Sequence, residues 1–122
     1  MPTLIACLST GKGTWTEVAK LIQYGNWSKV FLITLPFGRD NFKPDNKTEL
    51  LVIDENLELK SLKEELKKQL TGKIADFEIA LNFSSGSGKE HMAVVEAVLE
   101  LGLNFRLVTF SGNQMEVLGM GR

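Results

Sequence analysis

The stretch Leu81-Asn82-Phe83-Ser84-Ser85-Gly86-Ser87-Gly88-Lys89-Glu90-His91-Met92 decides how the chain is read, because an apolar strand-like run gives way to small residues and a cation where a helical pattern begins. Glycine permits φ > 0 and close backbone approach, and the first turn of a helix presents unpaired N–H groups carrying roughly half a positive charge. Strand, glycine-serine turn and helix in that order predict a place for an anion at the carboxyl end of a strand. A second loop of similar make-up, Leu8-Ser9-Thr10-Gly11-Lys12-Gly13-Thr14-Trp15, follows the first apolar run.

Outward from these loops the chain alternates strand and helix patterns. Residues 3–8 read as a buried strand, and Thr14 with Glu17 as a capping box opening a helix that repeats Val18, Leu21 and Ile22 until Gly25. Residues 28–34 form a β-branched and aromatic strand. Residues 35–48, with two prolines and several Asp and Asn, read as an irregular loop with no crossover helix. A strand at 49–54, a helix at 58–72 with Leu59, Leu62, Leu66 and Leu70 on one stripe, and a strand at 77–83 follow. The helix at 88–101 ends at Gly102, and strands at 105–110 and 114–118 flank the turn Ser111-Gly112-Asn113. The pattern predicts an α/β fold: a Rossmann-like three-layer sandwich over 1–122, with a mostly parallel six-stranded sheet and an antiparallel C-terminal edge strand. In the strand order 3-2-1-4-5 the first and fourth strands are neighbours, so both glycine-containing loops meet at the switch point where such sheets bind ligands.

Composition narrows the classes. With 122 residues, 43% hydrophobic and 24% charged, the chain suits one globular domain, and a net charge of -1 gives no basic field for duplex nucleic acid. The single cysteine, Cys7, rules out an internal disulfide and reads as an inert core residue. Neither a leader-like start nor a run of ~20 apolar residues is present, so the expectation is a cytoplasmic protein with no membrane contact. One histidine, one cysteine and no clustered carboxylates predict no metal site and no cofactor.

Known nucleotide fingerprints fit poorly. In the P-loop pattern Phe83 stands at the first glycine and Glu90 at the magnesium-binding hydroxyl, and neither Gly11-Lys12-Gly13 nor Gly86-Ser87-Gly88 has the third glycine of a dinucleotide motif. The run Asn82-Phe83-Ser84-Ser85-Gly86-Ser87-Gly88-Lys89-x-x-Met92 does resemble the second motif of the CARF (CRISPR-associated Rossmann fold) family, N-x-[ST]-G-G-[ST]-K before an apolar helix, with one extra residue. Leu8-Ser9-Thr10-Gly11 is similar to the turn after that family's first strand.

The resemblance implies a homodimer that binds a cyclic oligoadenylate across its two-fold axis, as a sensor of CRISPR-type defence or as a metal-independent ring nuclease. It places Ser9, Thr10, Gly11 and Lys12 from one loop, and Ser84, Ser85, Gly86, Ser87, Gly88 and Lys89 from the other, along the ligand cleft, with Lys89 nearest phosphate. Trp15 is then positioned to stack on an adenine. Cleavage implies attack of a ribose 2′-hydroxyl on its adjacent phosphate, with Lys89 and Ser9 as the catalytic candidates. Family members usually carry a second module, and the sequence stops just after its sixth strand, which points to sensing, sequestration or ring cleavage.

Plainer readings stand beside these. Thr14 with Glu17 and Ser87 with Glu90 serve as capping boxes at ordinary helix starts, and both glutamates oppose a bound anion. His91 is either a proton shuttle beside Lys89 or a surface histidine without a task. Tyr24 and Trp27 are expected to cover the sheet edge. From Met92 to Leu103 the only polar side chains are Glu96 and Glu100, so the helix has a wider apolar arc than a sheet contact needs. A two-fold dimer through this helix is the economical cover, and burial under residues 35–48 is the monomeric alternative. A non-enzymatic interaction subunit docking a larger partner through helix 88–101 is the alternative function.

Overall fold

The structure is a computed structural model, and it describes residues 2–8 and 13–119. Ten elements follow in order: β1 (Thr3–Leu8), α1 (Trp15–Tyr24), β2 (Lys29–Thr34), α2 (Pro36–Asn41), β3 (Thr48–Val52), α3 (Leu59–Leu70), β4 (Glu78–Asn82), α4 (Gly88–Glu100), β5 (Asn104–Ser111) and β6 (Gln114–Val117). The sheet order is β3-β2-β1-β4-β5-β6, parallel throughout except for the antiparallel β5–β6 pair. This is the expected doubly wound arrangement, with β1 pairing on one side with β2 and on the other with β4. The start of β1 is held by Asp76, whose carboxylate accepts from the Thr3 amide at 2.7 Å and the Thr3 hydroxyl at 2.9 Å.

Strand periodicity divides the core. Ile5, Cys7, Phe31, Ile33, Ile79 and Leu81 point to the face covered by α3 and α4. Leu4, Ala6, Leu8, Val30, Leu32 and Val108 point to the face covered by α1. The leucine stripe of α3 works as its spacing predicts: Leu62, Leu66 and Leu70 are buried, each contributing about 1.5–3 kcal/mol through removal from water.

Three local expectations are corrected. Residues 35–48 contain a short helix, α2, which begins with a proline at its first position, where the missing N–H has no partner to lose. Gly38 lets α2 settle on the end of β2, since a Cβ there would stand 1.7 Å from the Thr34 hydroxyl. The capping box foreseen at Thr14 does not form. Thr14 caps α1 without a side-chain hydrogen bond, whereas Ser87 and Glu90 complete both halves of theirs. Trp27 is a core residue rather than an edge cover, its indole N–H donating to the Leu21 carbonyl at 2.9 Å. A Cβ on Gly25 would stand 2.1 Å from that indole nitrogen. Tyr24 stays exposed and stacks on Phe110 at 5.5 Å between ring centres.

The wide apolar arc of α4 has a cover that was not foreseen. Ala93, Val94, Ala97 and Val98 are buried in the core shared with α3, with Val95 half-buried beside them. Outside that contact Met92 is 54% and Leu99 52% exposed. Among the described residues no helix is long and apolar enough to cross a membrane.

Candidate functional site

The carboxyl ends of β1 and β4 lie side by side, with Ala6 in register with Asn82. Of the predicted site residues, Ser9, Thr10, Gly11 and Lys12 lie outside the described residues. The partner loop, 83–87, is built tightly. Asn82 is buried, and its amide donates to the Val108 carbonyl at 2.8 Å and to the Ser84 hydroxyl at 3.0 Å. Its side-chain oxygen accepts from the Ser84 amide at 3.2 Å. One asparagine thus ties β4 to β5 and sets the first residue of the turn.

Gly86 then brings the loop down onto β1 at φ +96, a conformation that L side chains rarely adopt. A Cβ at this position would stand 2.7 Å from Cys7 Cβ, 2.9 Å from Glu90 Oε1 and 3.1 Å from His91 Nε2. Burial pushes the Cys7 thiol far above its ordinary range, and the charge of Glu90 adds to the effect. That thiol is an inert filler at the end of β1 rather than a nucleophile.

The first turn of α4 spends part of its donor capacity internally. The Glu90 carboxylate, itself 8% exposed, accepts from the Ser87 amide at 3.0 Å, and the Ser87 hydroxyl accepts from the Glu90 amide at 3.3 Å. His91 Nε2 lies 2.7 Å from the Ser85 carbonyl oxygen, so this nitrogen carries the proton and donates. The ring stacks on Phe83 with centres 4.5 Å apart. His91 therefore clamps the loop from the α3 side instead of standing idle in solvent.

The remaining predicted residues divide by exposure. Ser87 and Gly88 are exposed, Ser84 and Gly86 are half-buried, and Ser85 is buried in the turn. Lys89 is half-buried and does not point into open solvent: its ammonium donates to the carbonyls of Glu55 at 2.7 Å and Leu57 at 2.9 Å. Trp15, 8% exposed, is packed against Phe37 at 5.9 Å and Phe42 at 5.8 Å. Aromatic side chains of α2 and of the residue after it thus surround the ring on which an adenine was expected to stack.

Two open grooves flank the switch point. On the α1 side, one of about 330 Å³ is lined by Gly13, Thr16, Lys20, Ser111 and Asn113 among others. On the α3 side, one of about 380 Å³ is lined by Leu59, Phe83, His91, Met92 and Val95, with Glu96 at its rim. Sequence reading missed Thr16, Lys20, Ser111 and Asn113 as site candidates. Their only signal was the turn chemistry of Ser111-Gly112-Asn113, which says nothing of α1 lying next to it. Among the described residues no group of three or more His, Cys, Asp or Glu side chains is arranged to hold a metal ion.

No protein-family model matches the chain, and a search of curated proteins likewise returns no match.

Proposed function

We propose that the chain is a cytoplasmic receptor domain for a cyclic oligoadenylate second messenger of CRISPR-type defence, working as a homodimer and binding at the switch point between β1 and β4. The observation that carries this reading is the adjacency of the two strand ends, with the serine-glycine turn packed over Cys7 and opening directly into α4. The groove between the start of α1 and the β5–β6 turn falls in the size range of small-ligand clefts, about 300–1,000 Å³. Thr16, Lys20, Ser111 and Asn113 in its lining offer hydroxyl, ammonium and amide donors to phosphate and base edges, with the Glu17 carboxylate beside Lys20 opposing an anion. Sensing is favoured over ring cleavage, because Lys89, the main catalytic candidate, rests on two main-chain carbonyls in the ligand-free chain and is not preorganised toward a reacting phosphate.

The docking alternative draws less support. It relies on the apolar arc of α4, and most of that arc is buried against the chain's own α3 and sheet.

Titration calorimetry with cyclic tetra- and hexa-adenylate, with linear oligoadenylate as control, tests the reading. The cyclic ligands are expected to bind, and Lys89→Ala is expected to weaken them by about tenfold, the effect of losing one charge-assisted hydrogen bond. Absence of heat with every cyclic ligand overturns the receptor reading. Recovery of the ring intact after long incubation identifies a sensor or sponge, and a linear product carrying a 2′,3′-cyclic phosphate identifies a nuclease.

A further inference from the structure

Lys89 joins two loops that are distant in sequence. It stands in the first turn of α4, and its two acceptors, the carbonyls of Glu55 and Leu57, belong to the connection between β3 and α3. At its ends the connection is held by the buried Ile53, whose amide donates to the Thr34 carbonyl at 2.9 Å, and by Leu57 and Leu59 packed against the core; between them it is fastened mainly through its own turn. The Asp54 side chain accepts from the Asn56 amide at 2.9 Å within the same turn, and Glu58 caps α3 without a side-chain hydrogen bond. The side chains of Asp54, Glu55 and Glu58 are exposed, so the loop held by the ammonium carries three carboxylates.

An ammonium that makes charge-assisted hydrogen bonds to neutral carbonyls gains more from a phosphate oxygen, where charge meets charge. A polyanion arriving at the first turn of α4 therefore acts twice in the same direction: it draws Lys89 off the carbonyls, and it repels the carboxylates of the loop. We propose that Lys89 is a latch that a bound polyanion releases, freeing residues 54–58 and the start of α3 and so passing occupancy of the switch point to the α3 face. This rests on the reading of that crevice as the ligand site. The output element is α3, which packs along α4 through Leu62 and Leu66 and whose first residue, Leu59, also lines the groove beside His91.

Amide hydrogen exchange of the full chain over residues 54–60, paired with calorimetry under the same conditions, tests the latch. The probes are cyclic tetra-adenylate and inorganic tripolyphosphate. Binding is expected to speed exchange in this segment by about tenfold while slowing it at 84–88. Lys89→Met is expected to show the fast exchange without any ligand, and Lys89→Arg, which keeps the charge and donors, to retain slow exchange; the arginine variant also serves if the methionine variant fails to fold. Heat of binding with unchanged exchange at 54–60 overturns the latch and leaves the site reading intact. No heat with either probe overturns the site reading, and the latch with it.

Discussion

The side-chain amide of Asn82 lies 2.8 Å from the main-chain carbonyl of Val108, so the carboxyl end of β4 is tied to the middle of β5 by a side chain as well as by the sheet ladder. The same residue holds both the amide and the hydroxyl of Ser84. The sheet and the serine-glycine turn thus share one buried polar residue, and the shape of the turn is linked to the position of β5.

Asn82→Ala is expected to lower stability by about 2 kcal/mol or more, because the Val108 carbonyl is left buried without this donor. Asn82→Asp, nearly identical in shape, should be at least as harmful, since it places a carboxylate oxygen against that carbonyl. Urea unfolding measures both, and a loss below about 0.5 kcal/mol for the alanine variant would rule out this role.

Two glycines four positions or fewer from Ser84 should respond in opposite senses. Gly86→Ala combines a φ of +96 with a Cβ that would meet Cys7 Cβ at 2.7 Å, and should cost about 2 kcal/mol. Gly88→Ala meets nothing within 4 Å and occupies the first position of α4, so it should be neutral or raise stability by up to about 1 kcal/mol. Thermal unfolding of the pair decides the matter, and equal effects would contradict the close packing of the turn on β1.

Lys67 and Lys63 each lie 2.9 Å from the Glu100 carboxylate, and their hydrogen bonds hold its pKa below the usual range. Glu100, with Glu64, in turn raises that of Lys63. A depressed carboxylate pKa contributes stability that is present above the unfolded value and lost as pH falls through the folded one. A raised lysine pKa contributes below its unfolded value and loses that contribution as pH rises through the folded one. The triad therefore supports the α3–α4 contact across neutral pH. Glu100→Gln should lower Tm at neutral pH, with the difference from wild type closing near pH 3 and shrinking in about 1 M salt. A difference independent of both pH and salt would show that the ion pairs contribute nothing.

Met92 and Leu99 remain exposed on α4, whereas Val98 is fully buried and Val95 half-buried. A charge at Val98 would therefore report on folding, and the exposed pair is the proper probe of assembly. If two copies meet through α4, Met92→Glu and Leu99→Glu should each shift sedimentation from dimer to monomer without lowering Tm by more than a few degrees. A wild-type dimer that both variants leave intact would place the two-fold contact elsewhere.

The parallel sheet, its order and the antiparallel last strand were legible because they follow from local signals: β-branched runs, period-3.6 leucines and glycines at the element ends. Ser87 with Glu90 was legible as a capping box for the same reason, all its partners lying within one turn. Thr14 with Glu17 has equal spacing and forms none, which shows that the spacing permits a cap without compelling it. The helix α2 was hidden by the prolines and Asp/Asn residues around it. Pro36 marks its start, but Gly38 has its reason only in the nearness of Thr34.

What the sequence determined by itself was the alternation of strands and helices, and with it the neighbouring of β1 and β4 at one place in the sheet, since parallel strands joined by right-handed crossovers leave few other arrangements. What only the tertiary structure decided was the direction each polar or aromatic side chain takes at that place. Lys89 is turned to carbonyls more than thirty residues away, His91 to the Ser85 carbonyl, Trp15 to Phe37 and Phe42, and α4 to α3. Local pattern records whether a side chain is apolar or charged, and its neighbours in space are set by the packing of segments that the pattern does not relate. The serine-glycine turn of the candidate site was therefore written in the chain, whereas the partners of its side chains, and the groove lined by Thr16, Lys20, Ser111 and Asn113, came only from the sheet bringing distant segments together.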